Sequence, residues 1–128
     1  MKYLSIDQLK ANLRLGKGIE QWLGHEVKDG YVVLKWIRIE KESPIEYTVG
    51  YIECFDEGGK DFVDIYEFSL LDPDFPFGIV NSFPSIEDAI DFSVKQYGAS
   101  IEKFVSESMI QDEYINYLAQ TGQSPNWS

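Results

Sequence analysis

One stretch of nine residues, YVVLKWIRI at positions 31 to 39, most constrains the fold of this chain. It is dense in β-branched and aromatic residues, and its apolar side chains fall on both sides of an extended backbone. This pattern predicts a strand that is covered on two faces or strongly twisted, and therefore a central strand of a sheet. The preceding dipeptide, Asp29-Gly30, is typical of a hairpin turn, so a partner strand is expected near Val27.

Further strands are predicted after the central one. Residues 45 to 55 alternate apolar and polar side chains, which predicts one buried face and one polar face. A turn over residues 56 to 60 leads to a strand over residues 61 to 71. After a proline-marked loop, residues 78 to 83 form a short fourth strand.

Helices are predicted before and after these strands. Ser5 begins the first helix, because Gln8 stands three residues later in the position of a capping box. Ser85 begins another helix, with two acids in its first turn, and Gly98 ends it. The predicted helical segments are residues 5–15, 19–23, 85–97, 100–105 and 111–120.

The order of these elements predicts an α+β fold. It consists of an antiparallel sheet of about four meandering strands, with N-terminal and C-terminal helices packed mainly on one face. We expect residues 1–121 to form a single domain and residues 122–128 to be a flexible C-terminal tail. The chain of 128 residues, 44% hydrophobic, is sufficient for one core.

Charge is distributed unevenly along the chain, whose net charge is -11. Residues 1–41 hold eight Lys and Arg against five acids, whereas residues 42–128 hold three against seventeen. Such an acidic excess repels phosphate and acidic lipid and attracts basic proteins, so neither a nucleic-acid nor a membrane partner is expected. A solvated acidic surface that only keeps the protein soluble is the alternative.

The single cysteine, Cys54, excludes an internal disulfide and favours a cytoplasmic location. No apolar stretch approaches the length of a membrane span, and no signal peptide is predicted. The chain has one cysteine and one histidine, His25, so a zinc site or a Cys-His nucleophile has little support. Basic and aromatic residues of the N-terminal third give a nucleic-acid surface only a weak signal, since the overall charge opposes phosphate.

Calcium binding and carboxylate catalysis both fail on spacing in the acidic stretch over residues 50–78. Asp56 and Glu67 occupy the first and twelfth positions of a calcium loop, but Gly58 and Lys60 stand where oxygen ligands are needed. On one strand, Asp61 and Glu67 would lie about 20 Å apart, too far for a catalytic carboxylate pair. No catalytic residue, metal or cofactor is therefore predicted, and an irregular weak cation site is a minor alternative.

Aromatic side chains with an acidic rim fit a surface that recognises a basic protein. We therefore expect a non-enzymatic binding module of the antitoxin, immunity, inhibitor or adaptor type. The alternative is a small enzyme or ligand-binding domain that uses carboxylates and aromatics in a pocket. The first predicts an exposed flat or convex patch, and the second predicts carboxylates that converge in a concave pocket with shifted pKa values. The predicted partner-binding residues are Asp56, Glu57, Asp61, Asp64, Tyr66, Asp72, Asp74 and Phe75.

Overall fold

The computed structural model describes residues 3–57, 65–71 and 78–121. In these ranges the chain forms three α-helices, one 3-10 helix and five strands. The helices are α1 (Ile6–Arg14), α2 (Ile86–Tyr97) and α3 (Ile110–Thr121), with the 3-10 helix at Ile65–Glu67. The strands are β1 (Ile19–Lys28), β2 (Tyr31–Ser43), β3 (Glu46–Phe55), β4 (Ile79–Phe83) and β5 (Val105–Ser106).

The strands form one antiparallel sheet in the order β4-β3-β2-β1-β5. The strand predicted to be central, β2, lies in the middle of this order. The α+β fold class is therefore confirmed, with five strands instead of about four.

The two faces of the sheet carry two separate clusters of buried side chains. On one face, Ile37 and Ile39 of β2 pack with α1 and α2, for example with Leu13. On the other face, Leu34 and Trp36 of the same strand pack with α3 and with residues 65–71. This double covering explains why apolar residues occur on both sides of β2 in the sequence.

Residues 19–23 form the first half of strand β1, whereas the sequence predicted helical turns for them. The amide of buried Gln21 makes two 2.7 Å hydrogen bonds with the backbone of Ser100, 79 residues away. Pairing with β2 and β5 extends along the same residues, so long-range contacts override the local helical pattern. A bulge between Trp22 and Gly24 interrupts the pairing, and Gly24 has a φ of 118° there.

Two other segments also differ from their predictions. Within the predicted helix over residues 100–105, Val105 instead begins β5, which pairs with the start of β1 and adds the fifth strand. Of the predicted strand over residues 61–71, residues 61–64 lie outside the described residues. The remainder forms the 3-10 helix and a single bridge between Leu70 and Cys54.

The predicted start of α1 and both predicted ends of α2 are confirmed. Ser5 and Gln8 form the capping box of α1, in which each side chain accepts from the other residue's backbone amide. The Ser85 hydroxyl accepts the amide of Asp88 at the start of α2, and Gly98 ends that helix with a φ of 71°. No helix among the described residues is long and apolar enough to cross a membrane.

The turn between β1 and β2 has the conformation expected of a two-residue hairpin, and substitutions there can test it. Asp29 and Gly30 have φ values of 52° and 83°, the left-handed conformations of a two-residue hairpin turn. We expect Gly30→Ala to lower the free energy of unfolding by about 1 kcal/mol, because a Cβ is disfavoured at that φ. Chemical denaturation measures this change. The control Asp29→Asn should change stability little, since Asn tolerates the left-handed region, and equal effects of both variants would contradict the assignment.

Candidate functional site

A cavity of about 600 Å³ lies on the face of the sheet that also carries α3. Alternate residues of β2 and β3 share this face, as the two-residue period of a strand requires. Residues 65–71 and β4 complete the lining. The lining residues are Trp36, Arg38, Glu40, Glu42, Thr48, Gly50, Ile52, Ile65, Tyr66, Leu70 and Val80.

The cavity changes from apolar to charged along the strands. Trp36 on β2 pairs with Ile52 on β3 at the apolar end. The next pair on this face is Arg38 with Gly50, and the pair after that is Glu40 with Thr48. Successive pairs on one face are about 7 Å apart, so a bound group of moderate length can contact both ends.

Gly50 leaves the middle of the cavity floor without a side chain. It pairs with Arg38 on β2 and with Val80 on β4. Its φ is not positive, so its backbone conformation is open to any residue and does not require glycine. A glycine within a strand is destabilising by about 0.5–1 kcal/mol, and it often marks a place where another group approaches closely.

Three carboxylates lie near the guanidinium of Arg38, and its Nη2 donates a hydrogen bond to Glu107. Its Nε lies 2.6 Å from Glu40, its Nη2 lies 3.2 Å from Glu107, and its Nη1 lies 3.9 Å from Glu20. One guanidinium therefore has three carboxyl groups as neighbours. The local charge beside the cavity is negative, even though an arginine lines it.

Glu20 is fully buried beneath this cluster and organises it. Its carboxylate accepts the Tyr66 hydroxyl at 2.7 and 2.8 Å, the Ser108 amide at 3.0 Å and the Ile110 amide at 3.3 Å. Ile110 begins α3, and a negative charge at the start of a helix is favourable. Burial raises the pKa of Glu20, although the bond from Tyr66 and the charge of Arg38 partly oppose the shift.

Tyr66 connects Glu20 to the cavity lining. Its ring meets Trp36 edge to face, with the ring centres 5.5 Å apart. Burial first, and then the hydrogen bond to the Glu20 carboxylate, raise the pKa of Tyr66. The residue is 37% exposed, so its ring reaches the surface while its hydroxyl is bound inside.

Of the predicted partner-binding residues, Asp56, Glu57 and Tyr66 are among the described residues. Asp56 is only 8% exposed and accepts the hydroxyl of Tyr114, so it belongs to the interior of the fold. The Glu57 carboxylate accepts both the amide and the hydroxyl of Ser69. The structure thus brings only Tyr66 of these three to the cavity. Asp61, Asp64, Asp72, Asp74 and Phe75 lie outside the described residues, as does the predicted turn over residues 58–60.

Sequence reasoning missed Glu20, Arg38, Glu40 and Gly50 as parts of one site. A usable signal was present in the alternation of β2, where every second residue from Trp36 onward lies on one face and the series turns from aromatic to charged. The role of Glu20 had no comparable signal, because residues 19–23 were predicted to be helical. The cavity itself is the kind of feature that the alternative function predicted.

Several basic residues of the N-terminal third are paired within the fold. Lys28 and Lys35 each lie 3.0 Å from Glu26, and Lys28 lies 3.6 Å from Glu53. The bonds from Lys35 and then Lys28 lower the pKa of Glu26. These acids neutralise part of the positive charge that a phosphate-binding surface would use.

Cys54 and His25 are separated by Leu34, which pairs with each of them on the two sides of β2. His25 packs against the ring of Tyr117 at 4.9 Å. Burial raises the pKa of the Cys54 thiol to about 12, with the neighbouring Trp36 indole opposing the shift, so the thiolate is scarce at neutral pH. This arrangement is that of a buried small thiol.

Within residues 3–57, 65–71 and 78–121, no group of three His, Cys, Asp or Glu side chains is arranged to hold a metal ion. Comparisons of the chain with protein-family models, with curated proteins and with solved structures found no match.

The buried carboxylate predicts a specific effect of pH on stability. Because the pKa of Glu20 is raised in the folded state, the folded protein binds this proton at a higher pH than the unfolded chain does. Relative to Glu20→Gln, the wild type should therefore gain stability as the pH falls from neutral through the raised pKa towards 4.5, the ordinary value. Chemical denaturation of both proteins over this range measures the difference.

Two further variants make this test specific. Glu20→Ala should lower the free energy of unfolding by about 3 kcal/mol at neutral pH, because the Tyr66 hydroxyl and two amides lose their acceptor. Glu102→Gln, at an exposed acid away from the cavity, should leave the pH dependence unchanged. A constant difference between wild type and Glu20→Gln over the whole range would contradict the burial of this carboxylate.

Proposed function

We propose that this protein is a non-enzymatic binding module that recognises a basic protein partner through the sheet face containing the cavity. The observation that carries the proposal is that two carboxylates, Glu40 and Glu42, line the cavity of a chain whose net charge is -11. An immunity-like, antitoxin, inhibitor or adaptor role is consistent with such a surface. The predicted acids Glu57, Asp61, Asp64, Asp72 and Asp74 follow the strands in sequence, and their part in binding belongs to this proposal.

The burial of Glu20 favours binding over catalysis. Glu20, the carboxylate beside the cavity with a raised pKa, is 0% exposed and already accepts bonds from Tyr66, Ser108 and Ile110. A general acid or base must reach its substrate directly or through one water. Glu20 supports the fold in this arrangement, and it has no exposed atom to offer a substrate.

Electrostatic attraction supplies both rate and selectivity in this proposal. A negative surface accelerates encounter with a basic partner, and salt screens that attraction over about 10 Å at 0.1 M ionic strength. The cytoplasmic location that we propose rests on the free, buried Cys54.

A small-molecule ligand is the second candidate, because a cavity of about 600 Å³ falls within the range of such sites. An amine with an apolar body would match the same lining. The two candidates differ in what competes for the site: a soluble amine would saturate the cavity alone, whereas a protein partner requires contacts beyond it.

An affinity experiment tests the main proposal. Immobilised protein is incubated with cell extract at low salt, bound proteins are identified after elution at rising salt, and the strongest basic candidate is purified. We expect its affinity, measured by calorimetry, to fall steeply with salt and to fall about tenfold in a Glu40→Gln, Glu42→Gln double variant, which is about 1.4 kcal/mol.

A double variant of equal charge provides the control. Asp88→Asn with Glu102→Gln removes two exposed acids that do not line the cavity, so it should weaken binding much less. Equal loss in both double variants would mean that only total charge matters. Absence of any basic protein whose binding decreases with salt would refute the proposed function.

A further inference from the structure

We propose that the cavity above Gly50 is a socket for one basic side chain of the partner protein. The aliphatic stem lies over the backbone of Gly50, and the cation at its end reaches the carboxylates of Glu40 and Glu42. This inference rests on the proposed function and specifies how the basic partner is held.

The space for the stem comes from Gly50. Its two cross-strand neighbours are Val80 and Arg38, and the Arg38 guanidinium lies 2.6 to 3.9 Å from the carboxylates of Glu20, Glu40 and Glu107. The floor between them is backbone without a side chain. Lysine and arginine bury their aliphatic stems on such apolar floors while their charges stay in polar surroundings.

The walls near Gly50 suit the stem and its charge. Trp36 and Tyr66 present an edge-to-face aromatic pair, and Ile52 pairs directly with Trp36. Aromatic faces attract lysine and arginine cations as well as packing against their methylene groups. A half-exposed Val80 leaves this side of the cavity accessible from solvent.

Charge selects a cation over an anion at this place. An arginine in a cavity often binds carboxylate or phosphate, but the Nη2 of Arg38 already donates to Glu107, and carboxylates of Glu40 and Glu20 lie 2.6 and 3.9 Å from its other nitrogens. Glu42 adds a second acid to the lining, so two carboxylates and one guanidinium line the cavity. An anionic ligand would have to displace Glu40 or Glu107 from Arg38 and would meet the remaining acids.

Short peptides test the socket without the natural partner. Three acetylated and amidated pentapeptides place Lys, Arg or norleucine between glycines, and a fourth places Glu there. Each is titrated into the full chain at low ionic strength while backbone amide NMR shifts are recorded. We expect the Lys or Arg peptide to shift the amides of Gly50, Thr48 and Val80, and the norleucine and Glu peptides to bind at least tenfold more weakly. The comparison of Lys with Arg shows which cation fits better.

A side chain introduced at Gly50 should block the socket, so substitutions at this position test it directly. Gly50→Val introduces a side chain suited to a strand and should weaken binding of the basic peptide at least tenfold, with Gly50→Ala weakening it less. Ser82→Val is the matched control, since Ser82 pairs with Thr48 on the same face but does not line the cavity. Thermal unfolding verifies that each variant is folded, and the graded Ala variant preserves the test if the Val variant is not.

The socket and the proposed function can fail separately. Equal binding of norleucine, preferential binding of the Glu peptide, or unchanged binding by Gly50→Val and Gly50→Ala overturns the socket. If the purified basic partner still binds in a salt-dependent way that Glu40→Gln and Glu42→Gln weaken, the proposed function survives that failure. If neither basic peptides nor a basic partner bind, both proposals fail.

Discussion

The buried carboxylate of Glu20 is the interaction on which the α3 side of this protein depends. It joins β1, the Tyr66 hydroxyl, the amide that begins α3 and the charge of Arg38 at one point. A buried charge is strongly destabilising unless it is paired and hydrogen-bonded. The Glu20 carboxylate therefore depends on these partners, and loss of one partner weakens the packing of the others. Ser108 reaches this carboxylate with a φ of 77°, a conformation that costs a non-glycine residue about 1–2 kcal/mol.

This network also fixes the character of the cavity. Three carboxylates lie 2.6 to 3.9 Å from the guanidinium of Arg38, so it adds little net positive charge to the lining. Tyr66 is held by Glu20, so its ring stays beside Trp36. A rigid wall of this kind lowers the entropy lost on binding, because fewer side chains must be ordered when a partner arrives.

Local sequence signals predicted the elements whose structure is decided locally. The turn at Asp29-Gly30, the caps at Ser5 and Ser85 and the two-sided pattern of β2 all follow from neighbouring residues. Local signals did not predict the start of strand β1, because Gln21 and Glu20 form their hydrogen bonds with residues about 80 to 90 positions later. The site was missed for the same reason: Glu20 resembles an ordinary surface acid until α3 covers it, and Gly50 resembles part of a polar strand face until its neighbours across the sheet are known.

The chain order of these contacts has a consequence for folding kinetics. Strands β1, β2 and β3 are joined by short hairpins and can pair over small sequence separations, which is fast. The start of α3 reaches Glu20 across 90 residues, so this closure pays a larger loop entropy and follows the hairpins. During synthesis, Glu20 can therefore exchange water for the amide of Ile110 only after α3 has left the ribosome. We expect a chain interrupted before α3 to lack the contacts that hold Glu20, and with it Tyr66, in place beside the cavity.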